Sequence, residues 1–174
     1  IRVRTGLTVQ IISNSEQRLL TYKALAVADD EFDRNIRKGT AILDVGFGSM
    51  QISLFDEKLL VSTENLPLGV LRIGELLKNV SSTAEGTRRI TGEMVESELS
   101  NYQKMYLEER RIKHVIGTGE NIMYLFRYED GGKPLQWVTR EQFDRLYERL
   151  SGMNPEAVEE QFGVSAEYAP LLLL

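Results

Sequence analysis

Between Thr40 and Thr63 the chain carries three short apolar runs separated by turns of a few residues, and this spacing constrains the fold more than any other feature. Thr40-Ala-Ile-Leu-Asp-Val45 reads as a buried strand and Gly46-Phe-Gly-Ser49 as a tight turn. Met50 to Phe55 alternates Gln51 and Ser53 with Ile52 and Leu54, and Asp56-Glu-Lys58 makes a second turn into a strand over Leu59 to Thr63. Runs this short, joined this tightly, fold back on one another as an antiparallel meander.

The flanks supply the rest of a layered domain. Thr8-Val-Gln-Ile-Ile-Ser13 is β-branched and predicts a strand. Asn14 and Ser15 are cap candidates for a helix running to about Ala28, with Glu16 and Gln17 in its first turn. Leu19, Leu20, Lys23, Ala24 and Val27 give that helix its approximate 3.6-residue period. Beyond Pro67-Leu-Gly69 the pattern turns helical at Val70, Ile73, Leu76 and Leu77, and a long polar helix is expected from Glu85 to about Glu109. Lys113 to Gly117 predicts a fifth strand, followed by a helix over Asn121–Tyr128 and a turn over Asp130–Pro134. Thr139 and Gln142 form a capping box for a helix to Leu150, and Pro155 opens another after Asn154. The expected fold is α/β, a mixed five-stranded sheet flanked by helices.

Composition narrows the function classes. With 174 residues the chain suits one domain, expected to span 1–174. There is no Cys, which excludes a disulfide scaffold, a thiolate metal site and a cysteine nucleophile, and fits a reducing, cytoplasmic setting. A net charge of -5 argues against a nucleic-acid binder, and no apolar run reaches bilayer length, so no membrane partner is expected. The sole His114 reads as structural, because a metal site wants more ligands beside it. The chain lacks an initiator Met and stops at Leu171-Leu-Leu-Leu174, which we take as the mark of a piece of a longer polypeptide.

Two glycine turns carry the chemistry. Asp44 ends a buried strand, where a carboxylate needs a cation, water or donors, and Gly46, Phe47, Gly48 and Ser49 after it let backbone N–H groups approach an anion. The competing reading is a tight hairpin whose glycines only permit positive φ. Ile116-Gly-Thr-Gly119 repeats the pattern, a strand ending in Gly117-x-Gly119 before a helix, with the competing reading of a plain connection. Glu16 at a strand-to-helix junction reads either as a general base for a water or as an acid favouring the helix dipole.

Together these blocks resemble the second domain of the exopolyphosphatase/guanosine pentaphosphate phosphatase family, within the actin-like, sugar-kinase and heat-shock ATPase superfamily. Val9 to Arg18 looks like the family's strand and Glu-rich helix start, and Ile42 to Ile52 looks like its phosphate loop. Leu66 to Arg72 is similar to its Pro-x-Gly segment, and Val115 to Gly119 to its second glycine block. The resemblance implies a ribonuclease H-like fold and a cleft shared with a preceding domain of the same chain, with a homodimer as a further expectation. It implies Mg2+-assisted attack of water on a terminal phosphoanhydride of polyphosphate or guanosine pentaphosphate. Carried over, Glu16, Asp44 and Gln51 take the catalytic positions, and Asp44 also lies by the metal. Gly46, Phe47, Gly48, Ser49, Gly117 and Gly119 bind phosphate. A one-residue gap decides whether Glu16 or Gln17 holds the base position. Phe47, Met50, Gln51, Glu120 and Asn121 depart from the family pattern. Those departures keep open a non-catalytic module that senses polyphosphate or a nucleotide, and an isolated fragment is expected to be inactive.

Overall fold

The computed structural model describes residues 2–78, 80, 83–119, 122, 137–166 and 169. After a single helical turn, α1 (Arg2–Thr5), and an irregular stretch come α2 (Asn14–Ala28) and α3 (Phe32–Asn35). The expected meander follows as β1 (Thr40–Val45), β2 (Met50–Asp56) and β3 (Leu59–Leu66). Then α4 (Val70–Leu77) and α5 (Ala84–Tyr106) lead to β4 (His114–Thr118), and α6 (Arg140–Ser151) and α7 (Pro155–Phe162) close the order. The sheet is mixed, in the order β3-β2-β1-β4, with β4 parallel to β1 and the other pairs antiparallel.

This sheet has four strands among the described residues, not five. Residues 8–13 form no strand, and Val9 and Ile11 stand 63% and 96% exposed. β-Branched composition supplies propensity, but a strand needs a neighbour to take its N–H and C=O groups, and no described strand pairs with this stretch. The helix expected over 121–128 (Ile122 apart), the turn over 130–134 and Glu120 lie outside the described residues.

Alternation along the strands gives the sheet two dissimilar faces. Val45, Met50, Ile52 and Leu66 point to one side and pack with Val70, Ile73 and Leu77 of α4 and Tyr102 of α5. Tyr102 and Ser62 share a 2.7 Å hydroxyl contact, and the Tyr106 hydroxyl donates to Glu64 at 2.7 Å, which ties α5 to β3. On the other side Ile42 and Phe55 pack with Phe32 and Ile36 and, partly, with Tyr22 and Leu25 of α2. A separate cluster of Leu146, Leu150, Val158 and Phe162 joins α6 to α7.

The start and the packing face of α2 both differ from the sequence expectation. Its cap is Ser13 rather than Asn14 or Ser15: the Ser13 hydroxyl accepts from the Glu16 N–H at 3.2 Å, and the Glu16 carboxylate accepts from the Ser13 N–H at 2.7 Å. Two N-terminal groups are satisfied reciprocally, which Asn14 has no acidic partner to match. Leu19, Leu20 and Val27 are exposed, while Tyr22 stacks edge-on against Phe55 at 5.2 Å and donates to the Ser53 hydroxyl at 2.6 Å. Apolar residues lie on more than one side of this helix, so the partner surface decides which stripe is covered.

The β2–β3 hairpin stores strain. Its two loop residues, Glu57 and Lys58, have φ of 50° and 67°, the left-handed region that Asn and Gly favour. Glu57→Asn is expected to stabilise the protein by roughly 0.5–1 kcal/mol, seen as a higher urea midpoint at an unchanged slope. No described helix is long and apolar enough to cross a membrane.

Candidate functional site

The two glycine turns meet at one end of the sheet. β1 and β4 run parallel, so Asp44 lies opposite Thr118 and the chain leaves both strands at the same edge. Crevices at such strand ends are where open α/β sheets bind ligands. Gly119 has φ +107°, and a Cβ there would stand 2.4 Å from the Val45 carbonyl oxygen, so this crossing requires glycine. At Gly117 an added Cβ would meet only the Ile122 side chain, at 3.1 Å.

The first turn, Gly46 to Ser49, is held by the helix that follows the meander. The N–H groups of Val70, Leu71 and Arg72 are the free donors of α4's first turn. They reach the Gly46 carbonyl at 3.3 Å and the Phe47 carbonyl at 3.0 and 3.4 Å. In a trans peptide the N–H points opposite to the C=O. The Phe47 and Gly48 N–H groups therefore face away from α4, side by side, and neither donates to any described residue. Donation into their carbonyls polarises both peptides and makes the outward N–H groups better donors. Such a pair of parallel backbone donors is an anion-binding concavity.

Neither Gly46 nor Gly48 has positive φ, so the hairpin reading based on left-handed glycines does not account for them. Around Gly48 a Cβ would meet nothing within 4 Å, which leaves that side of the loop open. Phe47 stands at the centre of the turn, and its side chain is 57% exposed. Sequence reasoning placed Gly69 in a motif but missed its task. A Cβ on Gly69 would stand 2.2 Å from the Gly48 carbonyl carbon, 2.3 Å from the Phe47 oxygen and 2.4 Å from the Ser49 nitrogen. A Pro-x-Gly step between a strand and a helix is the only trace of this in the sequence.

Below the loop a polar row crosses the sheet. Register puts Asn65, Gln51, Asp44 and Thr118 on neighbouring strands, on the face that α2 partly covers. Asp44 is half-buried, and its carboxylate has no hydrogen bond or ion pair with a described residue. Gln51 is only 8% exposed, yet its Oε1 is buried without a partner. Thr118 donates weakly to the Leu43 carbonyl at 3.4 Å.

The start of α2 carries the remaining candidate, Glu16. The C-terminal end of α2 leads into α3, whose Asn35 carbonyl accepts from Thr40 at the beginning of β1, while Tyr22 sits over Ser53 at mid-strand. Glu16, six residues earlier on α2, is exposed, and no hydrogen bond or ion pair links it to Asp44 or to the Gly46–Ser49 turn among the described residues. Its carboxylate accepts from the Ser13 backbone N–H and, at 2.9 Å, from the Ser13 hydroxyl. Those bonds hold its pKa below the usual carboxylate value, so the small charge-assisted contribution to the cap is present at neutral pH and is lost as pH falls through that lowered value. No group of three or more His, Cys, Asp or Glu that could hold a metal occurs among the described residues.

The sequence profile of the Ppx/GppA phosphatase family matches residues 1–173. Among solved structures the chain is similar to the type II variant of the Aquifex aeolicus Ppx/GppA phosphatase, with 20% identity and a TM-score of 0.69 over 99% of this chain and 56% of that one. It is also similar to another structure of the Aquifex aeolicus family member, with 20% identity and a TM-score of 0.68 over 99% of this chain and 55% of that one. An exopolyphosphatase from Cytophaga hutchinsonii shares 15% identity and a TM-score of 0.57 over 79% of this chain and 46% of that one. The chain thus spans about half the length of these structures, and the likeness supports a ribonuclease H-like, mixed α/β fold. No curated protein sequence matches.

Proposed function

Because the chain belongs to the Ppx/GppA phosphatase family, we propose that it supplies one wall of a site that hydrolyses a terminal phosphoanhydride, in polyphosphate or guanosine pentaphosphate. The observation that carries this reading is the pair of outward Phe47 and Gly48 N–H groups, fixed by α4 and without acceptors among the described residues. A terminal phosphoryl group seated there meets donors that need no reorganisation as charge develops. Ser49 flanks the seat, and Gly117 and Gly119 close the end of the adjoining strand beside it. Catalysis is then mainly positioning and charge neutralisation, as phosphoryl transfer requires.

The residues present fit Mg2+. Asp44 is a half-buried carboxylate with no described partner, at the strand end beside the phosphate seat. Mg2+ is commonly held by one or two carboxylates together with substrate phosphates and waters, so a single protein ligand suffices. Bound there, the ion would neutralise charge on the phosphoryl oxygens. The water's proton goes to Glu16, which must exchange its bonds to Ser13 for the water. The exposed apolar residues Leu19, Leu20 and Phe47 suit cover by the preceding domain of the same chain. The isolated chain is accordingly inactive.

The test is phosphate release from tripolyphosphate and from guanosine pentaphosphate by the longer protein that contains this chain. Glu16→Gln keeps the capping box but cannot accept a proton. It is expected to lower kcat by about 10²–10³ with an unchanged melting temperature. An unaltered kcat would leave Glu16 as a cap only. A second reading, a module that binds polyphosphate or a nucleotide without turnover, is favoured by one observation: the Glu16 carboxylate is already engaged by Ser13. Tight binding of tripolyphosphate with no phosphate released by the longer protein would establish that reading instead.

A further inference from the structure

A cavity of about 510 Å³ lies between α5 and α6, lined among the described residues by Thr91, Gly92, Val95 and Leu99 of the first helix and Tyr147 and Ser151 of the second. α5 covers the sheet face opposite the Asp44–Gln51 row, so this cavity is separate from the candidate site. Its size is that of a small-molecule site. Two of its residues are kept against stability. Gly92 sits in the interior of α5, where Gly is less stable than Ala, and a Cβ there would meet nothing within 4 Å, so packing does not require it. Thr91 is 5% exposed and its Oγ1 is buried without a partner, a penalty that Val, of the same shape, would avoid. Side by side, one leaves room and the other offers a hydrogen-bonding group, the pattern expected where function overrides stability.

We infer that this cavity binds a linear aliphatic polyamine. Glu96, Ser100 and Gln103 line it further along α5, and their i, i+4, i+7 spacing puts them on one face. The Glu96 carboxylate has no hydrogen bond or ion pair with a described residue. A carboxylate, a hydroxyl and an amide carbonyl supply three acceptors, and a primary ammonium group brings three donors. Val95, Leu99 and the half-exposed Tyr147 offer apolar surface to a methylene chain. Thr91 stands five residues from Glu96 and nine from Ser100, about 8–14 Å along the helix axis, a span that the amines of spermidine cover. A helical Thr has two accessible χ1 rotamers, so its hydroxyl can swing to accept from the second amine. Arg88 at the other end does not call for an anion. Its guanidinium donates to the Ser151 carbonyl and, at 3.0 Å, to the Met153 carbonyl, so its charge lies against the negative end of the α6 dipole. A net charge of -5 further favours a cationic ligand.

The test is calorimetric titration of spermidine into the longer protein that contains this chain, with no phosphate compound present. One saturable site is expected, retained at about 0.15 M salt, where contacts between exposed charges are largely screened. Thr91→Val should weaken binding about 5–10-fold at an unchanged or higher melting temperature, since it removes the hydroxyl and keeps the shape. Glu96→Gln should weaken it about tenfold or more through loss of the charge-assisted bond. Gly92→Leu, a better helix former that fills the open side, should abolish binding in a protein at least as stable. Absence of saturable binding by the unsubstituted protein would overturn the inference. So would binding that disappears at that salt concentration, which is surface attraction only. Unaltered affinity in folded Thr91→Val and Gly92→Leu proteins would place the polyamine elsewhere and overturn it too. None of these outcomes depends on phosphate release, so the polyamine site and the hydrolase reading stand or fall separately.

Discussion

Gly69→Ala is expected to lower stability by roughly 2–3 kcal/mol and to weaken tripolyphosphate binding by about 10²-fold or more. The argument is steric. The added methyl would lie 2.2–2.4 Å from three backbone atoms of residues 47–49, and none of these is the movable end of a side chain. Gly69 itself has φ -103°, which any residue adopts, so backbone strain plays no part. Relief requires α4 and the Gly46–Ser49 turn to move apart. That separation breaks the hydrogen bonds from Val70, Leu71 and Arg72 that aim the Phe47 and Gly48 N–H groups outward. Each charge-assisted bond to phosphate is worth about 1.5–3 kcal/mol, so misdirecting two of them removes most of the affinity. Gly48→Ala is the control, since its Cβ would enter open space and the melting temperature should stay within about 1 °C. Thermal unfolding and calorimetric titration of both variants decide the matter. Wild-type binding by a folded Gly69→Ala protein would show that the loop does not carry the anion.

Asp44→Asn should leave the fold intact and lower kcat in the longer protein by about 10²–10³, with the Mg2+ dependence of the rate shifted to higher concentrations. The carboxylate is half-buried and has no described partner, so losing its charge sacrifices no observed hydrogen bond or ion pair. Stability should therefore be unchanged or slightly higher. An amide retains an oxygen ligand but supplies no charge to offset that of a polyphosphate, and the loss appears in the chemical step and in cation affinity together. Identical Mg2+ titrations for the two proteins would remove Asp44 from any metal site.

Much of the architecture was legible because it is local. The meander shows in runs and turns within about 25 residues, and Thr139 with Gln142 and Asn154 with Pro155 announce their helix starts within one turn. The cap of α2 was misplaced by a residue or two, since Ser13, Asn14 and Ser15 all have capping side chains and only the reciprocal bond with Glu16 selects Ser13. The candidate site was half legible. Asp44 and its glycine turn were legible as a candidate anion seat; the turn does join a β1–β2 hairpin, but its glycines do not have the positive φ that the hairpin reading gave as their reason.

What the sequence by itself determined, then, is the set of β1 to β3, the longer helices, the caps of α6 and α7, and the residue types able to hold a phosphate. Tertiary structure alone decided four matters. Residues 8–13 find no strand partner, and Tyr22 rather than Leu19 or Leu20 faces the sheet. Gly69 lets α4 clamp a turn some twenty residues upstream, and the Gln51 oxygen is left buried and unpaired. The physical reason is range. Propensity, capping and turn chemistry act between residues within about four positions of each other. Strand pairing, the choice of helix face and backbone contact join residues far apart in the chain, and no local pattern encodes which of them will meet.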